Sequence, residues 1–511
     1  MRAVVVNLGL LLAVLCAAAA ARTLERGNGP EPQSLDAHLA QDLASMHILR
    51  DLYEGLVAED AAGRIVPGVA ARWEVSQDAL TWTFHLREDA RDCAGRRVDA
   101  HRFQSALARA LDPATGAPLA KSLAEVSGVR ALDADTLRIE LDAPVPLLPR
   151  LVLPVAYPVD VAAVDAHGER HVRPGNLVGN GAYCLAEAVP QSHLLLVRNP
   201  YYHGASEVRI ERVRFHVTED AVSELRRFEA GELHLTETLP QQPLERLRAR
   251  HGEALRLHGT LGVFYLGYNL TRPPFRDSPA LREALSAAID RELLTAKITA
   301  MGEQPAYALV PPGTAEHTPQ RAGFADLQRE ERLALARARY AEAGYGPERP
   351  LVIELRYNTS LAHRRTALAV AAMWREVLGA NTRLVNEEWR SFVVTRRQRV
   401  ITEVFRGGWF ADVDDALDFL GRYAGEQPLN TLGLRDPEYD RLIEAARAAQ
   451  GAARRALLEQ AERRLMDAHA LIPLYVYTSK RLVHPDLAGF EDNVLDRHPS
   501  RFLYWRSAAG D

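Results

Sequence analysis

The 511-residue chain reads as an α/β protein of two or three packed lobes, and three observations predict it. Its balance, 47% hydrophobic and 25% charged, is that of a globular chain long enough for more than one core. Short alternating runs and longer amphipathic runs follow one another, with no repeat of solenoid length. From Glu330 onward the order is helix, strand, helix, strand, which argues for a largely parallel sheet with crossover helices.

The elements follow in chain order. Leu80-Thr81-Trp82-Thr83-Phe84-His85-Leu86 alternates like a half-buried strand, and Thr136 to Leu141 does the same. His101 to Leu111 is an amphipathic helix stopped by Asp112-Pro113. Leu309 to Gly313, rich in Pro and Gly, is a loop. Glu330 to Ala343 is a helix ended by Gly344 and Gly346. Pro350 precedes a strand, Leu351 to Tyr357, and His363 to Leu378 is helical up to Gly379. Thr382 to Val385 is a short strand. Helices Pro437 to Ala449 and Ala452 to His469 lead into the apolar strand Leu471 to Tyr477.

The N-terminus predicts export. Arg2 precedes an apolar run, Ala3 to Leu15, broken only by Asn7 and Gly9, then the small residues Ala17 to Ala21. That is a cleavable leader over 1–21. The run is short for a membrane-spanning helix, which needs about 20 residues. Cys16 raises a lipid anchor, but Leu15 stands where such a site has a small residue, so cleavage is expected. Cys93 and Cys184 then remain, either paired in an oxidising compartment or as two thiols. With 62 basic against 67 acidic residues, the chain is a poor match for nucleic acid.

Enzyme signatures are missing. There is no nucleophile elbow, phosphate loop or dinucleotide turn. His167-Gly168-Glu169-Arg170-His171 has the wrong order for a zinc-protease helix, and Gly168 and Pro174 argue for a loop. Asp412, Asp414, Asp415 and Asp418 lack the Gly and the final Glu of a calcium loop, and the last three read as a solvated edge. Neither metal nor cofactor is expected. The segment Arg406-Gly407-Gly408-Trp409-Phe410-Ala411-Asp412 differs: two glycines permit close backbone approach, Trp409 offers a flat wall, and opposite charges flank both. It suits a ligand with both an ammonium and a carboxylate, or else an internal Arg–Asp pair at a strand-to-loop corner.

Ordered motifs run from Gly27 to Arg506. They include Gly27 to Asp36, Arg50-Asp51-Leu52-Tyr53-Glu54-Gly55-Leu56, Pro67-Gly68-Val69-Ala70 and Trp82 to Arg87. Asn180-Gly181-Ala182-Tyr183, Arg198 to Tyr202, Tyr357 to Ser360, Asn386 to Trp389 and Gly408 to Asp412 follow. In this order the chain resembles the oligopeptide-binding proteins of ATP-driven (ABC) peptide importers, within the peptide and nickel binding family. The resemblance implies a two-lobe clamshell, of the type II periplasmic-binding-protein kind, with an additional inserted domain and hinge closure over extended peptide. It divides the chain into a first lobe of 22–53, 179–261 and 479–511, an insertion of 54–178 and a second lobe of 262–478. It implies a periplasmic, monomeric, non-catalytic receptor with short peptides and a membrane permease as partners.

Residue by residue, the resemblance gives Asp412 the peptide's α-ammonium. Arg406 and Arg396 face carboxylates, with Arg397 an alternative because one extra residue separates Arg396 from Arg406. His363 meets the far end of a longer peptide, and Asn358, Trp389, Trp409 and Tyr477 line side-chain pockets, with core packing the other reading for Trp389 and Tyr477. Gln41, Asp42 and Leu43 offer main-chain contacts from the opposite lobe. Departures fall in the same pocket. Phe410, counted with the ligand-binding set, and Gly262 replace a cysteine pair; Gly267 replaces an acidic residue; Leu119 replaces a tyrosine. Murein-derived peptide, dipeptide or a nickel complex is the alternative ligand, and an exported hydrolase the remote third.

Overall fold

The computed structural model describes residues 22–240, 242–426 and 429–506. The expected leader and Cys16 lie outside the described residues. Three sheets organise the chain. The first has four strands in the order Leu24–Gly27, Arg212–His216, His193–Arg198, Tyr183–Val189. Leu24, Leu196, Val213 and Phe215 are fully enclosed in its core, which also takes in Tyr157, Val159 and Leu177. Helix Leu43–Leu52 packs there, its N-terminus capped by the Asp42 carboxylate, which accepts from the Ser45 amide.

The second sheet is antiparallel, in the order Ala70–Val75, Thr81–Leu86, Thr136–Leu141, Val126–Ala131. Trp82, Phe84 and Leu86 point into its core and their neighbours do not, as the alternation requires. Helix Ala100–Leu111, capped by Asp99, buries Phe103 and Leu107 against it.

The third sheet has six strands in the order Gln304–Pro305, Leu471–Leu482, Leu255–Tyr268, Val404–Phe410, Val352–Asn358, Asn381–Glu387. Only the last three are mutually parallel, joined by helices Leu361–Leu378 and Trp389–Gln398. The others run antiparallel, so the expectation of a largely parallel sheet is corrected to a mixed one. Leu255–Tyr268 enters this sheet from the side of the first sheet, where Leu235 bridges both Arg26 and Val483, and Leu471–Leu482 leaves by the same route. This 14-residue strand was not legible in the sequence, because Gly259, Gly262 and Gly267 interrupt its pattern.

The two long strands form the waist of the molecule. Leu255–Gly259 pairs with Thr478–Leu482, and Val263–Gly267 pairs with Leu471–Val476. The register breaks between Gly259 and Val263, so the ladder loses its continuity between the two halves. Just below the break, buried Arg481 forks onto Asp496 at 2.9 Å and also reaches Glu237.

Cys93 and Cys184 form a disulfide, and the two-thiol alternative falls. It joins the loop after Thr81–Leu86 to strand Tyr183–Val189 of the first sheet. The Arg109–Asp36 ion pair, 2.6 Å long and largely buried, makes a second tie between the same units. The stretch His167–His171 is not the expected loop: it ends helix Val161–His167 and continues as a 3-10 turn, Gly168–Val172. Among the described residues, no helix is long and apolar enough to cross a membrane.

The disulfide spans a sequence separation of 91 residues, so it restricts the unfolded chain strongly. Cys93→Ser with Cys184→Ser is expected to lower unfolding free energy by about 2–5 kcal/mol in denaturant titration. An unchanged midpoint would show that the unit docks without the tether.

Candidate functional site

The three parallel strands Val352–Asn358, Asn381–Glu387 and Val404–Phe410 end at one rim. In open α/β sheets that rim is where ligands bind. Asn358, Trp389, Trp409, Phe410 and Asp412 all lie at or just past it. Large apolar side chains there are unusually bare: Leu361 is 74% exposed, Phe410 57% and Trp389 50%; Leu43, on the other lobe, is 67% exposed. Trp389 is therefore not a core residue, though it packs on Phe392 at 6.3 Å.

The glycine pair has a definite job. A Cβ at Gly407 would lie 2.2 Å from the Tyr265 ring, and one at Gly408 would lie 3.0 Å from both Arg406 Nη2 and Tyr477 Oη. Absence of side chains lets Tyr265 lie across one face of the strand and Arg406 across the other. On the Arg406 face, Arg406 donates to Tyr477 Oη at 2.9 Å and its guanidinium sits 5.1 Å from the Phe264 ring centre. His363 packs on the same Phe264, 5.6 Å between rings. Burial, together with the Arg406 charge, pulls the His363 pKa down to about 4, so the ring is neutral at pH 7. Phe410 stacks on Tyr477 at 4.4 Å. Asn358 Oδ1 is buried without a hydrogen bond.

On the opposite face, burial would raise the Tyr265 phenol, but Arg422, Arg396 and Arg406 outweigh it and hold it below its ordinary value. Burial also lowers the Arg396 pKa. Of the two neighbouring arginines it is thus Arg396 that lies in the field of Tyr265, whereas Arg397 is exposed. Arg396, Arg406 and Arg422 each have a buried Nε without a hydrogen bond. None has a carboxylate within ion-pair distance among the described residues, a costly arrangement unless an anion arrives.

Arg406 and Asp412 do not pair with each other, so the internal-pair reading is excluded. The Asp412 amide donates to Asp418 Oδ2 at 2.8 Å, and its carbonyl accepts from Arg497 Nη2 at 2.6 Å. Those two bonds fix the loop while the Asp412 carboxylate stays exposed to the cleft. Burial by the cleft walls raises its pKa, with Lys121, Arg497 and Arg422 pulling the other way. A cavity of about 280 Å³ opens here, lined by Lys121, Arg150, Trp409, Asp412, Asp418 and Arg422. Lys121 and Arg150 come from the second-sheet unit, so that unit forms part of the wall.

The acidic run is not a solvated edge. Asp415 caps helix Ala416–Leu420 and pairs with Arg454 at 2.8 Å. Asp414 accepts from the Ala315 amide at 2.7 Å. Asp418 accepts from Trp409 Nε1 at 3.3 Å as well as from Asp412. Burial, then the neighbouring Asp412, raises the Asp418 pKa to about 7. Arg422, whose guanidinium stacks 3.8 Å from the Trp409 ring centre, was also missed. Its only sequence signal was helical spacing, four residues after Asp418. Asp42 spends its carboxylate on the helix cap, and Gln41 and Leu43 beside it are exposed.

Two departures are filled by packing. Gly262 lies opposite Phe410 in the ladder, and a Cβ there would be 2.6 Å from the Phe410 ring. A Cβ at Gly267 would be 2.6 Å from Phe405 and 2.7 Å from Leu432, so no acidic side chain fits there as packed. Leu119 packs beside the second core.

A two-lobed α/β fold, a bare apolar cleft and unpaired charges of both signs along it define a solute-binding protein of the type II clamshell class. The sequence matches the description "Bacterial extracellular solute-binding proteins, family 5 Middle" over residues 64–431, and the chain belongs to that family. It is 34% identical to the periplasmic oligopeptide-binding protein OppA of Escherichia coli, over 94% of this chain and 92% of that protein. It is 35% identical to the periplasmic murein peptide-binding protein MppA of the same organism, over 93% and 91%. The unliganded open form of MppA superposes with a TM-score of 0.88 at 34% identity, over 95% of this chain and 98% of that one. Haemophilus influenzae OppA in complex with the peptide RPPGFSPFR gives 0.75 at 30% identity, over 96% and 99%. The protein is accordingly a binding component and not an enzyme.

Asp418 makes a pH-dependent prediction. Its folded pKa, about 7, lies above the ordinary value of 3.8, so the folded state holds a proton that the unfolded state releases. Its contribution is full below pH about 4 and is lost as pH rises to about 7. Asp418→Asn is therefore expected to gain roughly 4 kcal/mol on the native protein between pH 4 and pH 8 in urea unfolding. A difference that does not change with pH would contradict the raised pKa.

Proposed function

We propose that the protein captures short oligopeptides between its two lobes outside the cytoplasm and delivers them to an ABC-type import permease in the membrane. One observation carries the reading. The exposed Asp412 carboxylate lines a cavity with Trp409 and Arg422, and Arg396, Arg406 and Arg422 each keep a buried Nε without a hydrogen bond and lack a carboxylate partner among the described residues. Charges of both signs without ion-pair partners near one rim suit the ammonium and the carboxylate of a free peptide. The names of the oligopeptide-binding and murein peptide-binding relatives point to the same ligand class.

In this reading Asp412 takes the α-ammonium. Arg406 and Arg396 take the C-terminal carboxylate or acidic side chains. Trp409, Phe410, Trp389, Asn358 and Tyr477 wall the side-chain pockets, and neutral His363 meets the end of a longer peptide. Main-chain groups at Gln41, Asp42 and Leu43 close from the first lobe. The lobe boundaries near 261 and 479 bracket the register break in the waist, which is the natural hinge. A leader over 1–21 brings the chain to the periplasm as a monomer, with an anchor at Cys16 the lesser alternative.

A second reading, a murein-type peptide, is favoured by the arginines. Three unpaired guanidiniums exceed the needs of one C-terminal carboxylate, and Gly267 leaves no acid on that strand to offset them.

Calorimetry on Asp412→Asn tests the assignment. Binding of free tri- to pentapeptides is expected to weaken about 10–100-fold, the worth of one charge-assisted bond. N-acetylated versions of the same peptides are expected to change little. Equal losses for both sets would reject the ammonium role.

A further inference from the structure

We propose that His258, Asp496 and His498 form a binding site for a divalent transition metal, best suited to Zn²⁺. The proposal does not rest on the peptide-binding reading.

The geometry carries it. One ligand atom from each residue lies within 4.8 Å of the others. His258 Nε2 is 3.5 Å from Asp496 Oδ1, and His498 Nε2 is 2.9 Å from the same oxygen. Tetrahedral zinc with bonds of about 2.0–2.1 Å holds its ligand atoms about 3.3–3.4 Å apart. A metal on Asp496 Oδ1 shares that oxygen with Ser479 Oγ at 2.8 Å and Arg481 Nε at 3.1 Å and takes the place of the direct His498 contact. Two imidazoles and a carboxylate also match the preference of zinc for borderline nitrogen and oxygen donors.

His258 supplies an independent observation. Both its ring nitrogens are buried, and neither makes a hydrogen bond. Asp492 Oδ1 is 3.4 Å from Nδ1, close enough for attraction but misaligned. A buried imidazole without a hydrogen bond is uncommon and points to a missing partner. A metal on Nε2 supplies one, and Asp492 then orients the ring through Nδ1–H.

His498 Nε2 donates to Asp496 at present, and its proton passes to Nδ1 or to solvent when the metal takes its place. Arg481 bonds both oxygens of Asp496 and reaches Glu237, Arg256 pairs with Asp492, and Arg26 lies in the field of Glu237, so three carboxylates meet three guanidiniums and the pull on a metal rests on the two imidazoles. A cavity of about 680 Å³ touching His258 and Asp492 gives an entry path and room for a water as fourth ligand.

The placement gives the metal a structural consequence. His258 precedes the register break directly, while Asp496 and His498 flank Arg497, which holds the Asp412 carbonyl. A bound ion ties the crossing strand to the segment that reaches the cleft.

Titration of EDTA-treated, full-length mature protein with zinc chloride tests the site. One saturable zinc per chain is expected, with a rise in thermal midpoint. Affinity is expected to fall at least tenfold in His258→Asn and in His498→Asn, while Asp492→Asn keeps most of it. Cobalt(II) should give the intense visible bands of a four-coordinate ion in wild type and not in the histidine variants. Circular dichroism and a cooperative thermal unfolding transition without metal check that each variant folds. If a histidine variant does not fold, the wild-type cobalt spectrum decides, and a spectrum identical to aqueous cobalt overturns the proposal. Absence of one-to-one zinc binding, or zinc affinity unaltered in both folded histidine variants, overturns it too.

Discussion

Two antiparallel strands, Leu255–Tyr268 and Leu471–Leu482, pass through the waist and belong to both halves of the molecule. Everything else is arranged around that shared ladder. Below its register break, Arg481 anchors one strand to Glu237 and Asp496, so the first-lobe end is held by buried charge as well as by backbone pairing. Above the break the same strands become the middle of the six-stranded sheet and set Tyr265 and Tyr477 beside Arg406. The register shifts between Gly259 and Val263 and again between Phe264 and Tyr265, so the ladder is irregular in the middle of the waist.

The cleft departs from what stability alone would favour. Buried guanidiniums without acidic partners and bare aromatic rings raise the free energy of the open form. A ligand that covers them recovers that cost on binding. Gly407 and Gly408 serve the same end by letting Tyr265 and Arg406 lie flat on opposite faces of one strand. Asp418 fixes the Asp412 loop through the backbone amide, and the Asp412 carboxylate makes no ion pair among the described residues.

Regular elements with strong local pattern were legible in the sequence. Thr136–Leu141 and Leu361–Leu378 appear within a few residues of their expected bounds, because alternation and helix caps act locally. The mixed sheet was not legible, since strand direction depends on which lobe a strand arrives from. Leu255–Tyr268 hid behind glycines that its packing requires. At the site, the Arg406–Asp412 stretch stood out as a motif, but whether its charges paired internally is a question of side-chain direction. Asp418 looked like a surface residue and Arg422 drew no notice, because their partners, Trp409 and the Asp412 amide, sit on an adjoining turn. Spacing likewise left Cys93 and Cys184 open, and only the docking of the second sheet on the first brings them together.

The central claim is that the cleft is built around a zwitterionic peptide. Native mass spectrometry of protein purified from the periplasm without denaturation tests it most directly. The account predicts one-to-one complexes with a spread of short peptides carrying free N-termini, released on unfolding. Protein that emerges uniformly ligand-free and takes up none of an added peptide library, or that carries a single non-peptide ligand, would contradict it.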